Sequence, residues 1–210
     1  SGIGQALAAR FAQSGYRLAL VARRTEDTQA WADAQGLGVD RCRIYGADVS
    51  DTDSLVAAAQ ACVAAQGVPD VVIANAGISV GVDTAIAEDL EVVRRTFETN
   101  NLGMCATFQP FISPMRARGT GRLVGIASVA GIRGLPGHGA YCASKAGVVA
   151  YCESLRGELR ASGAQPRPVK AEIRAKNFIR KEQFPYTSAF GFDLETTGRD
   201  PETALVVTAR

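Results

Sequence analysis

Apolar residues along the chain fall into two rhythms, short unbroken runs and longer stretches at helical spacing, and the two follow one another with regularity. Ala6, Leu7, Ala8 and Phe11 predict a helix from Gln5 to Ser14, closed by Gly15. The run at 17–22 predicts a strand, and a helix follows from Glu26 to Gln35. Arg41 to Tyr45 reads as the next strand, and Ser50 with Asp53 forms a capping-box pattern that opens a helix reaching Gln66. After a strand at 70–74, the spacing of Leu90, Val93 and Phe97 predicts a helix over 88–99. A second helical stretch extends to Arg118, with interruptions expected at Pro110 and Pro114. A strand at 122–127 precedes the long helix from Tyr141 to Ala161. Alternating strands and helices place the chain in the α/β class.

At 210 residues and 47% hydrophobic content, the chain can bury a substantial core and is most simply one domain. Its net charge of +2, from 23 basic against 21 acidic residues, comes without a basic patch interleaved with aromatics, so no nucleic-acid partner is expected. No apolar stretch is long enough to span a membrane, and none is expected to bind one. Five cysteines, at 42, 62, 105, 142 and 152, form no C-x-x-C pair, which favours reduced thiols in a cytoplasmic protein. His138 is the only histidine, so a His-rich metal centre and a Ser-His-Asp triad are excluded by inventory, and no metal is expected. Its place is a pocket rim or solvent loop.

Candidate chemistry concentrates in Ala140-Tyr141-Cys142-Ala143-Ser144-Lys145-Ala146-Gly147. One helical turn separates Tyr141 from Lys145 and aims a phenol and an ammonium at the same point. A cation beside a tyrosine favours the phenolate and makes it a better proton-transfer group near neutral pH. Alone, the pair is a weak signal that an exposed helix face, which often carries Tyr and Lys at this spacing, accounts for more readily. Ser128 lies thirteen residues before Tyr141, where the run Leu123 to Ser128 reads as a buried strand ending at that serine. Ser1-Gly2-Ile3-Gly4 runs directly into a helix, where glycines let backbone N–H groups approach a phosphate. Arg23 and Arg24 follow the second-element strand, and the strand at 70–74 delivers Asn75-Ala76-Gly77.

Together these residues resemble the short-chain dehydrogenase/reductase family, in the family's order over residues 1 to 163. Gly2 and Gly4, with Ser1 and Ile3 around them, match the end of the glycine motif T-G-x-x-x-G-x-G, whose Thr and first Gly are missing. Asn75-Ala76-Gly77 matches the N-A-G turn beneath the cofactor, and Asp48, followed by Val49, matches the acidic residue that contacts adenine. Asn100 matches the asparagine of N-x-x-G, while Ser128, Tyr141 and Lys145 match the catalytic serine, tyrosine and lysine. The resemblance implies a Rossmann-like doubly wound parallel sheet and hydride transfer between a nicotinamide cofactor and a carbonyl or alcohol carbon. It implies that Tyr141 is the general acid/base, that Ser128 binds the same substrate oxygen, that Lys145 tunes Tyr141 and holds the ribose, and that Asn100 supports a proton-relay water. An acidic residue at the end of the second strand would select NAD(H). Arg23 there, with Arg24 as a second helper, offers a guanidinium for a 2′-phosphate and favours NADP(H), NAD(H) remaining an alternative. A small carbonyl or secondary-alcohol substrate and a homodimer or homotetramer follow from the same likeness.

Two departures qualify the pattern. The chain starts inside its phosphate loop, so the strand that precedes that loop in the family, central in the sheet, is expected to be lacking. A gap there would strand backbone groups in the core, which points to residues before Ser1 or to a fragment. After Gly163 the expected Pro-Gly turn is absent, neither Pro166 nor Pro168 being followed by glycine, so 164–210 reads as an atypical, fused or foreign segment. Within it, Phe192 to Pro201 resembles the first motif of proofreading-type 3′ to 5′ exonucleases, in which the positions of Asp193 and Glu195 hold divalent metals. Three functions therefore stand beside one another: an oxidoreductase, a catalytically silent nucleotide-binding or interaction module, and, as the weakest, a metal-dependent exonuclease fragment.

Overall fold

A computed structural model of the chain describes residues 2–161 and 203–207. Gly2–Gln13 forms α1, Arg17–Ala22 β1, Thr25–Ala34 α2, Cys42–Gly46 β2 and Thr52–Gln66 α3. Val71–Ala74 forms β3, Leu90–Phe97 α4, Gly103–Arg118 α5, Arg122–Gly125 β4, Gly139–Ala161 α6 and Thr203–Val207 β5. The five strands make one parallel sheet in the order β2-β1-β5-β3-β4.

This order corrects the expectation of a sheet without its central strand. β5, from the far end of the chain, lies in that slot and pairs on both edges, Leu20 and Ile73 each standing opposite Val206. Ala204, Leu205, Val206 and Val207 are buried, and the backbone groups of β1 and β3 find partners there. The last five described residues thus fill the slot between β1 and β3.

Strand periodicity divides the core into two faces. Ala19, Val21, Val72, Leu205 and Val207 pack with Leu55 of α3, Phe108 and Phe111 of α5 and Leu155 of α6. Leu18, Leu20, Ile73 and Val206 pack instead with Leu7 and Phe11 of α1 and Ala32 of α2. Helices on both faces of a parallel sheet give the doubly wound architecture, whose crevice opens at the carboxyl ends of the strands where the order reverses beside β5.

Four local expectations are revised. Asp51, rather than Ser50, caps α3, its carboxylate accepting from Asp53 N and Ser54 N, because Ser50 is turned to Asp48. Pro110 and Pro114 sit inside an unbroken α5. Interior prolines cost about 3 kcal/mol each, which the burial of Phe108, Phe111 and Met115 on the same helix offsets. The strand before Ser128 stops at Gly125, so the serine stands on a loop that caps the short 3-10 turn Val129–Gly131. Finally, α4 and α5 are one helical path joined through a π turn, Glu98–Leu102.

Candidate active site

The long helix α6 carries Tyr141 and Lys145 one turn apart, with Lys145 Nζ 5.8 Å from the centroid of the tyrosine ring. Lys145 is only 5% exposed and donates to the carbonyl of Ile126 at 2.7 Å, just beyond β4. Burial pushes its ammonium down to about 8. A cation held dry against a phenol is poised to stabilise negative charge on that phenol.

Asn100, 1% exposed on the π turn, is tied on three sides. Its Oδ1 accepts from Ile78 N at 2.8 Å, and its Nδ2 donates to Ile78 O and to Ser144 Oγ, both at 2.9 Å. The side chain therefore pins the loop after β3 to α6. Gly77 fits between them because a Cβ there would stand 3.2 Å from both Asn100 Oδ1 and Lys145 Nζ. Ser128 Oγ accepts from Ala130 N at 3.2 Å. Its loop lies hard against α6, since a Cβ on Gly131 would come within 2.7 Å of the Lys145 carbonyl carbon. The four residues expected to do the chemistry are thus drawn around one turn of α6.

The nucleotide side is built on the neighbouring strand ends. Gly2 opens α1 with φ +61, a left-handed geometry that favours glycine, and Gly4 is buried in the first turn. Ile3 is partly exposed beside them at 41%, whereas Ser1 lies outside the described residues. Asn75 N donates to Val207 O at 3.2 Å, so the Asn75-Ala76-Gly77 turn that follows β3 is tied to the end of β5. Arg23, past the end of β1, pairs with Asp48 at 3.3 Å. Asp48 also accepts from Ser50 N and Ser50 Oγ, and these bonds, the Ser50 backbone N–H first, hold its carboxyl below the usual carboxylate range. With side chains 55% and 37% exposed, the Arg23–Asp48 pair is a weak contact that a stronger anion can displace. Arg24 turns the other way, to Asp27 on α2 at 3.1 Å.

A cleft of about 320 Å³ opens here, with Arg23, Asp48, Val49, Ile78 and Thr99 among its walls. A helix amino terminus opened by glycine, a cleft with a displaceable guanidinium and a dry lysine beside it suit the phosphates, the adenosine and the ribose hydroxyls of a nicotinamide dinucleotide. No cluster of metal-ligating side chains exists among the described residues, and no described helix is long and apolar enough to cross a membrane. Asp193 and Glu195 lie outside the described residues, as do Pro166 and Pro168.

Sequence reasoning missed Ser144 and Gly131, which hold the site together rather than face it, and Ile78, which binds Asn100 through its backbone and also lines the cleft. Ser144 carried a signal, a lone hydroxyl on the Ala140, Ser144, Val148 stripe of a helix. Gly131 carried none, because a close approach between a loop and a helix has no local pattern. His138 is half-buried, with an Nδ1 that finds no partner among the described residues.

The family model for short chain dehydrogenases matches residues 1–179, past the boundary drawn at 163. An uncharacterized oxidoreductase of Myxococcus xanthus is 38% identical over 84% of this chain and 72% of its own length. The 17-beta-hydroxysteroid dehydrogenase type 1 of Mus musculus is 38% identical over 74% of this chain, a match that spans 46% of the mouse protein. A 2-dehydro-3-deoxy-L-rhamnonate dehydrogenase (NAD(+)) of Sphingomonas is 35% identical over 78% of this chain and 64% of its own length. Among solved structures, serine dehydrogenase from Escherichia coli superposes with a TM-score of 0.70 at 28% identity, covering 76% of this chain and 72% of that one. With a glycine-opened helix, an Asn75-Ala76-Gly77 turn and a Tyr141–Lys145 turn in one crevice, the chain belongs to the short-chain dehydrogenase family of oxidoreductases.

Proposed function

We propose that this chain is an NADP(H)-preferring oxidoreductase acting on a carbonyl or secondary-alcohol substrate. The observation that carries the reading is Lys145, buried with no carboxylate partner among the described residues and set against the ring of Tyr141. In the direction of reduction the Tyr141 hydroxyl gives its proton to the substrate oxygen, and Ser128 donates a hydrogen bond to the same atom as charge develops. Lys145 holds the resulting phenolate and the ribose hydroxyls, and Asn100 keeps Ile78 and α6 in register around them. The chemistry that a nicotinamide cofactor would supply when bound here is hydride transfer to or from the substrate carbon. Arg23 exchanges Asp48 for the adenosine 2′-phosphate, a doubly charged partner that also suits a bidentate guanidinium. NAD(H) is the competing cofactor.

Leu90, Phe97 and Leu102, exposed along α4 and the π turn, give a surface on which a homodimer or homotetramer can form. Five free cysteines suit a cytoplasmic setting. The test is fluorescence titration of the chain with NADPH and NADH, followed by turnover of a ketone panel by wild type and Tyr141→Phe. Tyr141→Phe is expected to lose about 10²- to 10⁴-fold in kcat, the usual worth of a general acid, while still binding NADPH. Tight NADPH binding with no turnover of any ketone by wild type would replace this reading with the silent nucleotide-binding module.

A further inference from the structure

Asn101 is the neighbour of Asn100 on the π turn, and it reaches the same residue of α6. Asn100 Nδ2 donates to Ser144 Oγ and Asn101 Nδ2 donates to Ser144 O, each at 2.9 Å. Ser144 is fully buried and its Oγ donates in turn to Tyr141 O at 2.8 Å. Two consecutive side chains of an ordinary α-helix diverge by about 100°. A π turn holds more residues per turn and narrows that angle, so both carboxamides can face one helix.

Room for the second carboxamide comes from Gly147, where a Cβ would stand 2.8 Å from Asn101 Nδ2. Asn101 Oδ1 is buried and finds no partner among the described residues. A buried acceptor left unpaired is destabilising, so a carboxamide kept at this position needs a compensating use.

We propose that Asn101 is a positioning residue for the reaction: with Asn100 it clamps Ser144, and the clamp sets the helical turn that presents Tyr141 and Lys145 to the substrate. This inference rests on the oxidoreductase reading and adds to it a residue that touches neither substrate nor cofactor. The family pattern N-x-x-G leaves the position of Asn101 open, so the second half of the clamp is a feature of this chain's own side chains. Gly147 belongs to the same device, because a methyl group there displaces the carboxamide without removing it.

The experiment compares wild type, Asn101→Asp, which keeps the shape but cannot donate to Ser144 O, and Gly147→Ala, which retains the Asn101 residue but displaces its carboxamide. Three readouts are taken: the NADPH dissociation constant by fluorescence, kcat against pH for the best ketone of the panel, and the protonation midpoint of Lys145 by lysine-Cε NMR titration without cofactor. Both variants are expected to lower kcat about tenfold or more, as misplaced catalytic groups do, with NADPH affinity within about twofold. Both are also expected to move the Lys145 midpoint upward from its wild-type value as water reaches the loosened turn. Unchanged kcat, pH profile and Lys145 midpoint in either folded variant, with only a lower melting temperature, would reduce Asn101 to packing. Should Asn101→Asp not fold, Gly147→Ala alone decides. Full activity of Tyr141→Phe would sink the oxidoreductase reading instead, whereas a shifted Lys145 midpoint is read without turnover.

Discussion

The two halves of the crevice are assembled in opposite ways. The half proposed to carry the chemistry is local: Tyr141, Ser144 and Lys145 lie within one stretch of α6, and Ser128 and Asn100 are delivered to it by the loop after β4 and by the π turn. The nucleotide half is remote: Gly2 and Gly4 come from one end of the chain, β5 from the other, and Asn75 is hydrogen-bonded to the last residue of that strand. The first half depends on side chains whose spacing one helix guarantees. The second depends on a strand finding its slot across nearly the whole sequence, which makes it the more vulnerable to changes that touch no ligand.

Val206→Asp should break the contrast most severely. Its site is fully buried between Leu20 and Ile73, and a carboxylate there has no partner, so a loss above about 4 kcal/mol is expected. Circular dichroism and urea unfolding check it: the cooperative transition should vanish and NADPH binding with it. A folded, NADPH-binding variant would mean that the nucleotide half does not need β5.

Lys145→Met probes the chemical half and should part activity from stability. Burial holds the ammonium of folded Lys145 at about 8, below the ordinary lysine value of 10.5. The unfolded chain therefore holds this proton more readily between those values, and the stability of wild type rises with pH across that window. The penalty, about 3 kcal/mol at full size, is present below about pH 8. Lys145→Met should raise the urea midpoint at pH 7, by less than that amount because Ile126 O loses its donor, and should flatten the rise toward pH 10 while abolishing turnover. A lower midpoint at pH 7 would show that the lysine is structural.

Arg23→Ala carries the smallest effect. NADPH should bind about tenfold more weakly, roughly 1.4 kcal/mol, with NADH nearly unchanged, in titrations at fixed ionic strength. Equal losses for both cofactors would move the phosphate contact away from Arg23 and leave the Arg23–Asp48 pair as a structural tie.

How much of this was legible follows the same division. The spacing of Tyr141 and Lys145, the Ser128 interval and the Asn75-Ala76-Gly77 turn all lie in short stretches, where side-chain type and period carry the information. The run Ala204-Leu205-Val206-Val207 has the composition of a buried strand, yet nothing within it says which two strands it will separate. That choice is made by the open edges of β1 and β3, which exist only in the folded sheet. Gly131 and Gly147 were invisible for a related reason: each is needed because of an atom contributed from elsewhere in the chain. The unbroken α5 shows the converse, a local proline rule overridden by buried phenylalanines.

β5 also sets a clock. Residues leave the ribosome in chain order, at about 5 to 20 per second, and every other strand of the sheet is synthesised before Thr203–Val207. Until that segment emerges, β1 and β3 present two naked edges facing each other, surfaces that invite any extended peptide nearby. The nascent chain must therefore carry an exposed templating groove until Thr203–Val207 emerges, and its demand for chaperones should peak just before that segment appears.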